Sequence, residues 1–211
     1  VLLAVFSDVH GNLPALELML RDAGPVDGYV CLGDCVNYGP WSDECVDLVR
    51  SLPAVVYLRG NHEEYFVAGH YPGGHPVARA FFEHCAPRFT RHREIADLPG
   101  EHVIADHVFS HTVDDRYVYP DTVLELTANH VIGHSHHQFR LEHGPYRLLN
   151  TGSVGQNRKH INLIDYLLLD TEGMEFTART VRYDETVVIK EMRRRDYPEE
   201  CVSYYEGKAR A

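Results

Sequence analysis

The chain reads as a layered α/β protein in which two β-sheets pack face to face with helices outside. Three observations predict this. Over the first sixty residues, short β-branched apolar runs alternate with helical patterns, as parallel β-α-β units require. From about residue 63 to residue 99 the pattern is helical throughout. Beyond that, short strands return in close succession with tight-turn signals between several of them, enough for a second sheet.

Taken in order, Leu2 to Phe6 is the first strand. Asn12 is placed to cap a helix with Pro14 in its first turn and Leu16, Met19, Leu20 and Ala23 on one face. Gly28 to Leu32 is the second strand. Ser42 suits the N-cap of a helix through Arg50 with Val46 and Val49 on its apolar stripe, and Ala54 to Leu58 is the third strand. In the helical insert, Ala78, Phe81, Phe82 and Cys85 share a face, and Tyr71-Pro72-Gly73-Gly74 breaks the pattern. The insert is expected to border the site. Short strands follow near Val103 to Ala105 and Val108 to Ser110, then a helix around Asp121 to Thr127, then a strand from His130 to Gly133. Gln138 to Leu141, Tyr146 to Leu149, Leu163 to Leu169 and Glu175 to Tyr183 read as strands, with turns at His143-Gly144-Pro145 and Thr171-Glu172-Gly173. From Asp184 a helix carries Val187, Val188, Glu191 and Met192. It ends on Arg193-Arg194-Arg195, whose charges complement the helix dipole and need no phosphate to explain them.

A length of 211 residues suits one domain with a real core. The balance of 20 basic and 31 acidic residues, −11 overall, forms no basic stripe and speaks against a nucleic-acid coat. Five cysteines, at 31, 35, 45, 85 and 201, lack framework spacing, so the expectation is a reduced, cytoplasmic protein. Cys31 and Cys35 read as packing residues. Val1 to Phe6 lacks a basic flank and soon meets Asp8, so it reads as a strand and not a signal peptide. No run approaches the roughly 20 apolar residues of a membrane span.

Five blocks stand at the ends of apolar strands: Ser7-Asp8-Val9-His10, Leu32-Gly33-Asp34, Gly60-Asn61-His62-Glu63, Ser110-His111 and Gly133-His134-Ser135-His136. In an open α/β sheet, the residues just past the strand ends line one crevice, so these can converge. Carboxylates, imidazoles and an amide form an O/N donor set suited to Mn, Fe, Zn, Co or Ni more than to Ca or a thiolate-bound zinc. Asp8, His10, Asp34, Asn61, His111, His134 and His136 are too many donors for one ion and enough for two if a carboxylate, here Asp34, bridges. A pair of ions roughly 3.5–4 Å apart can clamp a phosphoryl group. The bland alternative is that Asp8, Asp34 and Asn61 merely cap turns. The joint occurrence with the histidines outweighs it. Of the remaining histidines, His70, His75, His84, His92, His102, His107, His130, His143 and His160 have no ligand spacing and read as surface or structural imidazoles. His137 follows His136 directly and so points the other way in an extended segment.

The blocks resemble, in order, the calcineurin-like metallophosphoesterase superfamily, whose pattern is D-x-H, G-D, G-N-H-D/E, a later H and G-H-x-H. Gly11-Asn12, Asn37-Tyr38-Gly39-Pro40 and Asn150-Thr151-Gly152-Ser153-Val154-Gly155 resemble its small bacterial and archaeal phosphoesterase branch. The resemblance implies a four-layer αββα fold and two ions, manganese foremost, with Fe, Zn, Ni or Co as alternatives. Asp8, His10 and His136 would hold one ion, Asn61, His111 and His134 the other, and Asp34 both. His62 would bind no metal but would stabilise the transition state or protonate the leaving oxygen. Asn61 and His62 would hold phosphoryl oxygens while a hydroxide between the ions attacks a phosphate mono- or diester. A small phosphorylated substrate is expected, without a stable nucleic-acid partner or a membrane, and homo-oligomerisation stays open.

There are departures from the pattern. Thr112 follows His111 where the family often has Gly, and Thr151 replaces the Pro of N-P-G-S. The Ser/Thr protein phosphatases carry a phosphate-clamping Arg where Val36-Asn37-Tyr38-Gly39 stands here, which counts against that specificity. Some small phosphodiesterases have Cys at the position of His62, so monoesters stay in play. A non-catalytic interaction module on the same fold, as in the related retromer subunit, is the rival reading. It needs no intact His62 and tolerates lost ligands, whereas every block here keeps its chemistry.

Overall fold

A computed structural model describes all of residues 1–211. The first sheet contains β1 (Leu2–Phe6), β2 (Gly28–Cys31) and β3 (Val55–Tyr57) as parallel neighbours, and β9 (Leu163–Asp170) and β10 (Glu175–Arg182) continue it antiparallel beyond β1. The second sheet has the order β4 (Glu101–Ile104), β5 (His107–Ser110), β6 (Asn129–Ile132), β8 (Tyr146–Thr151), β7 (Gln138–His143). Its three central strands, β5, β6 and β8, are parallel and its two edges antiparallel. Two five-stranded sheets therefore form, and the parallel strands β1, β2 and β3 of one and β5, β6 and β8 of the other place their strand ends together.

Alternation along β1 shows how the layers pack. Val5 and its neighbours Val30, Leu32, Leu58, Leu167 and Leu169 meet Phe109, Val131 and Leu149 of the second sheet. Ala4 and Phe6 face the other way, into a larger core. That core is closed by α1 (Leu13–Ala23), α2 (Ser42–Ser51), α3 (Asn61–Ala68), α4 (Pro76–Cys85), α5 (His92–Ala96), α6 (Thr186–Arg194) and α7 (Glu199–Glu206). Phe6 is wholly buried there, so truncating it to Ala would cost about 3–5 kcal/mol. Asn12 caps α1 by accepting from the Ala15 amide at 3.2 Å, with Pro14 in the first turn.

The helix expected around Asp121 to Thr127 is absent. That stretch is irregular, and it lays Val118, Leu124 and Leu126 on Ile132 and Leu148, on the face of the second sheet away from the first. The reason is legible afterwards: Leu124 and Leu126 are two apart, which is no helical stripe, and Thr122, Val123 and Thr127 are β-branched. Ser42 is the first residue of α2 and not its cap. Its hydroxyl instead accepts from the Asn37 amide at 3.1 Å, fastening the loop before the helix. Helix α7 was not expected, although Pro198 followed by Glu199 and Glu200 is a start signal.

The arginine run is paired. Arg194 and Arg195 reach Glu191 at 2.6 Å, and Arg193 reaches Glu206 at 2.8 Å. All five cysteines are free and buried, with the Cys31 and Cys35 sulfurs 3.4 Å apart. No helix is long and apolar enough to cross a membrane.

Candidate metal centre

β1 and β2 run parallel, as do β5 and β6, so the blocks that follow them emerge at a common end. The turns there are left-handed: Asp8, His10, Asp34, His134 and His136 all have positive φ, between 49° and 66°. Non-glycine residues in that region store about 1–3 kcal/mol each, and such strain gathers where geometry serves a site. Backbone hydrogen bonds hold the turns against it, among them Asp8 N–H to Gly33 O at 3.0 Å, His10 N–H to Asp34 O at 2.9 Å and Gly133 N–H to His111 O at 3.1 Å. The motif glycines permit the approach. A Cβ on Gly60 would sit 2.2 Å from Asp34 Oδ1, and one on Gly133 would sit 2.2 Å from Ser7 Oγ.

The side chains gather into two clusters that share Asp34. In the first, His136 Nε2 is 3.2 Å from both Asp8 Oδ1 and His10 Nε2, and His10 Nε2 is 3.8 Å from Asp34 Oδ2. In the second, His111 Nε2 is 3.2 Å from Asp34 Oδ2, 3.1 Å from Asn61 Oδ1 and 3.1 Å from His134 Nδ1. All seven expected donors therefore converge, and His62 lies against them, its ring 5.0 Å from that of His10. His137 does not join them. It is half-buried, edge-on to Tyr119, and borders a second cavity with His136, Gln138, Asn157 and Asp165.

The outer atoms show which way the inner ones point. His10 Nδ1 is held by Val36 O at 3.1 Å, His111 Nδ1 by Leu32 O at 2.9 Å and His136 Nδ1 by Gln156 O at 2.8 Å. Each of these ring nitrogens donates to a carbonyl, so each Nε2 is turned inward, toward the other donors. Asp8 Oδ2 accepts from Ser7 Oγ at 2.5 Å and from the His134 amide at 2.9 Å, while its buried Oδ1 has no partner. Asp34 Oδ1 accepts from the His62 amide at 2.8 Å and leaves Oδ2 between the clusters.

This arrangement fits divalent ions. The Nε2 atoms of His10 and His136, whose outer nitrogens already donate to carbonyls, face each other at 3.2 Å, where two lone pairs repel unless a cation lies between them. Donors about 2.1 Å from one ion are themselves about 3.0–3.4 Å apart in octahedral or tetrahedral geometry; the distances above are 3.1–3.2 Å, except His10 to Asp34 at 3.8 Å. A buried carboxylate oxygen without a partner is costly for the same reason.

Protonation follows the same charges. Burial, then the charge of His136, presses His10 down to about 3, and burial with His111 does the same to His134. His111 goes the other way: burial opposes, but the charge and hydrogen bond of Asp34, with Asp8 and Glu63 behind, carry it up to about 10. Asp8 and Asp34 are held well below the usual carboxylate range. Burial opposes this, but His136 facing Asp8, and His111 and His62 facing Asp34, outweigh it.

Several neighbours were not singled out from sequence. Glu63, fully buried, accepts from the amides of Asp34 and Cys35, both at 2.7 Å, from Gly60 at 2.9 Å and from the Tyr57 hydroxyl at 3.2 Å. It ties the Asp34 turn to the start of α3. Its signal was visible as a Glu at the third helical position, which reaches back to cap. The Asn37 amide lies 2.9 Å from His62 Nδ1. Only the fold could show that pairing. A cavity of about 320 Å³, bordered by Asn61, His111, His134, Tyr65 and Tyr117, opens beside the second cluster.

Comparison with known proteins agrees with this geometry. The model of the calcineurin-like phosphoesterase family matches residues 1–168. An uncharacterised protein of Methanocaldococcus jannaschii is 29% identical, with 87% of this chain and 88% of that protein covered. The crystal structure of a metallophosphoesterase from Sphaerobacter thermophilus superposes with a TM-score of 0.81 at 25% identity, covering 97% of this chain and 98% of that one. A hypothetical protein of Pyrococcus horikoshii shares the fold at a TM-score of 0.80 and 18% identity, with 97% of each chain covered. With four-fifths of its length matched by the family model, and the motif residues gathered at the strand ends, the chain belongs to the calcineurin-like phosphoesterase family.

Proposed function

We propose that the protein is a dinuclear, divalent-metal-dependent phosphoesterase that hydrolyses a small phosphate mono- or diester. The observation that carries this reading is the pair of donor clusters sharing Asp34, with their donor atoms turned inward on one another. Asp8, His10 and His136 would hold one ion, Asn61, His111 and His134 the other, and Asp34 both. When bound, the ions supply Lewis-acid stabilisation of phosphoryl oxygens and activation of water at neutral pH; manganese is the first candidate, with Fe, Zn, Ni or Co as alternatives.

The chain's own part is to bind, orient and donate. His62 sits at the N-terminal turn of α3, where amide dipoles favour an anion. Burial lowers its pKa, which favours the neutral ring. Asn37 occupies Nδ1, so Nε2 carries the proton and offers it to an equatorial phosphoryl oxygen or to the leaving oxygen. Asn61, the first residue of the same helix, positions the substrate from the side of the second cluster. Five buried free thiols suit a reducing compartment, so we place the protein in the cytoplasm.

The test is hydrolysis of p-nitrophenyl phosphate and bis(p-nitrophenyl) phosphate, side by side, with manganese. The wild type should cleave at least one ester, and His62→Ala should lower that rate by about 100-fold. The ratio of the two rates assigns monoester or diester preference. No cleavage of either ester by protein shown to contain metal would overturn the reading in favour of an interaction module on this fold.

A further inference from the structure

The cavity beside the second cluster has a feature that holding metal does not explain. Among the large apolar side chains left exposed, Tyr117 is the only aromatic, and it is 52% exposed. It is not loose. Its ring stacks on His134, with centroids 3.9 Å apart and planes 23° from parallel, and it lies nearly parallel to Tyr119 at 6.3 Å. Its hydroxyl has no hydrogen-bond partner. Burying an aromatic ring is among the larger gains available to a side chain, so a rigid half-open ring against a donor of the centre is a surface kept for a ligand. Tyr65, packed on His62 and Tyr71, borders the same cavity.

The rim limits the ligand's charge. Arg59, the rim's only Lys or Arg, is paired with Glu64 at 2.8 Å, and Asp115 has no cationic partner. With its one Lys or Arg already neutralised by Glu64, the rim offers a second phosphate no uncompensated cation and sets the Asp115 carboxylate against it. Hydroxyl and amino groups, by contrast, would find acceptors in Glu64, Asp115 and Thr112. At about 320 Å³ the cavity is at the small end for organic ligands, right for one flat ring system and its linker.

We propose that Tyr117 is a stacking platform, and that this cavity takes the non-phosphate part of a phosphate ester carrying a flat, uncharged aromatic or heteroaromatic group, nucleosides included. The proposal rests on the phosphoesterase reading of the centre. It differs from a purely positioning role, in which Tyr117 only steadies His134.

The experiment compares kcat/KM for adenosine 5′-monophosphate and glycerol 2-phosphate in manganese-loaded wild type, Tyr117→Phe and Tyr117→Leu, with adenosine binding measured by titration calorimetry on the same proteins. The expected result is that Tyr117→Leu loses about 10-fold in kcat/KM for the nucleotide, mainly through KM, and little for glycerol phosphate. Adenosine should bind about 10-fold more weakly to that variant, and Tyr117→Phe should retain both properties. An equal fall with both substrates would assign Tyr117 to His134 alone and overturn the platform, as would no change with either. If the wild type cleaved no ester, the phosphoesterase reading would fail separately, and adenosine binding would then decide. Binding weakened by Tyr117→Leu upholds the platform, and absent or unaltered binding ends it. Because the ring is half exposed, the Leu variant should fold, which its melting curve checks.

Discussion

The two halves of the centre differ in how they are held and in what they face. Asp8 and His10 are completely buried, in turns locked between neighbouring strands, and His136 beside them lies at the edge of a second cavity. Asn61, from a helix start, and His111, from a strand end, share the other half with His134, and all three border an open cavity. The sealed half has few degrees of freedom left and suits a permanent ion. The open half is where a substrate can enter, and Tyr117 reaches it from an irregular segment. Each half carries a departure from the family pattern, Thr112 after His111 in the open one and Thr151, 2.7 Å from the Ser7 hydroxyl beside Asp8, in the sealed one. On the proposed reading, strained turns secured by sheet backbone would hold the chemistry and a less regular region would meet the ligand.

Asp34 belongs to both halves, so Asp34→Ala should abolish the distinction. Metal content by mass spectrometry should fall from about two equivalents towards none, and the rate by about 1,000-fold or more. Retention of both ions would show that the halves do not depend on a shared carboxylate. Separating them is the next step. His111→Ala should keep about one equivalent, whereas Asp8→Ala should lose an ion from the sealed half and also melt earlier. The His134 amide would lose its acceptor, at about 1–3 kcal/mol for a buried group left unpaired, while the Ser7 hydroxyl keeps Thr151 and Gly152. Equal melting temperatures for the two variants would erase the proposed difference in rigidity.

Glu63 ties the shared turn to the open half. Glu63→Gln keeps the shape but loses one of two carboxylate oxygens that together accept from three amides, so metal affinity should weaken by about 10–100-fold. Competition with a fluorescent chelator would read this directly, and an unchanged affinity would reduce Glu63 to a helix cap.

Protonation separates the halves in another way. His111, carried up to about 10, holds a proton at neutral pH, while His10 and His134, pressed down to about 3, hold none. Metal must displace the His111 proton. Loading the open half should therefore release about one proton, and its apparent affinity should rise about tenfold per pH unit from pH 7 to 9. Calorimetry in two buffers of different ionisation enthalpy counts that proton; finding none would place His111 outside the metal shell. The smallest effect belongs far from either half. Arg194→Gln removes an exposed ion pair with Glu191 and should change stability by no more than about 0.5 kcal/mol in a denaturant titration.

What could be read from the chain, and what could not, divides along the range of the forces involved. The five blocks were legible because each is a local event: an apolar run with strand composition stops at a Gly, Asp or Asn, and parallel neighbours bring such ends together. The donor types were legible in the residues alone. Glu63 was half legible, since a Glu three residues past a helix cap has a local meaning, but its reach to the Asp34 and Cys35 amides does not follow from spacing. The contact of Asn37 with His62 and the stacking of Tyr117 on His134 were invisible, because each joins residues from separate turns. The stretch from Val113 to Ala128 shows why. Its course is set by Val118, Leu124 and Leu126 finding Ile132 and Leu148 on the sheet, a contact that propensity and period do not encode. The donors of the centre were thus written locally, whereas the shape of the opening beside them came from packing between segments distant in the chain.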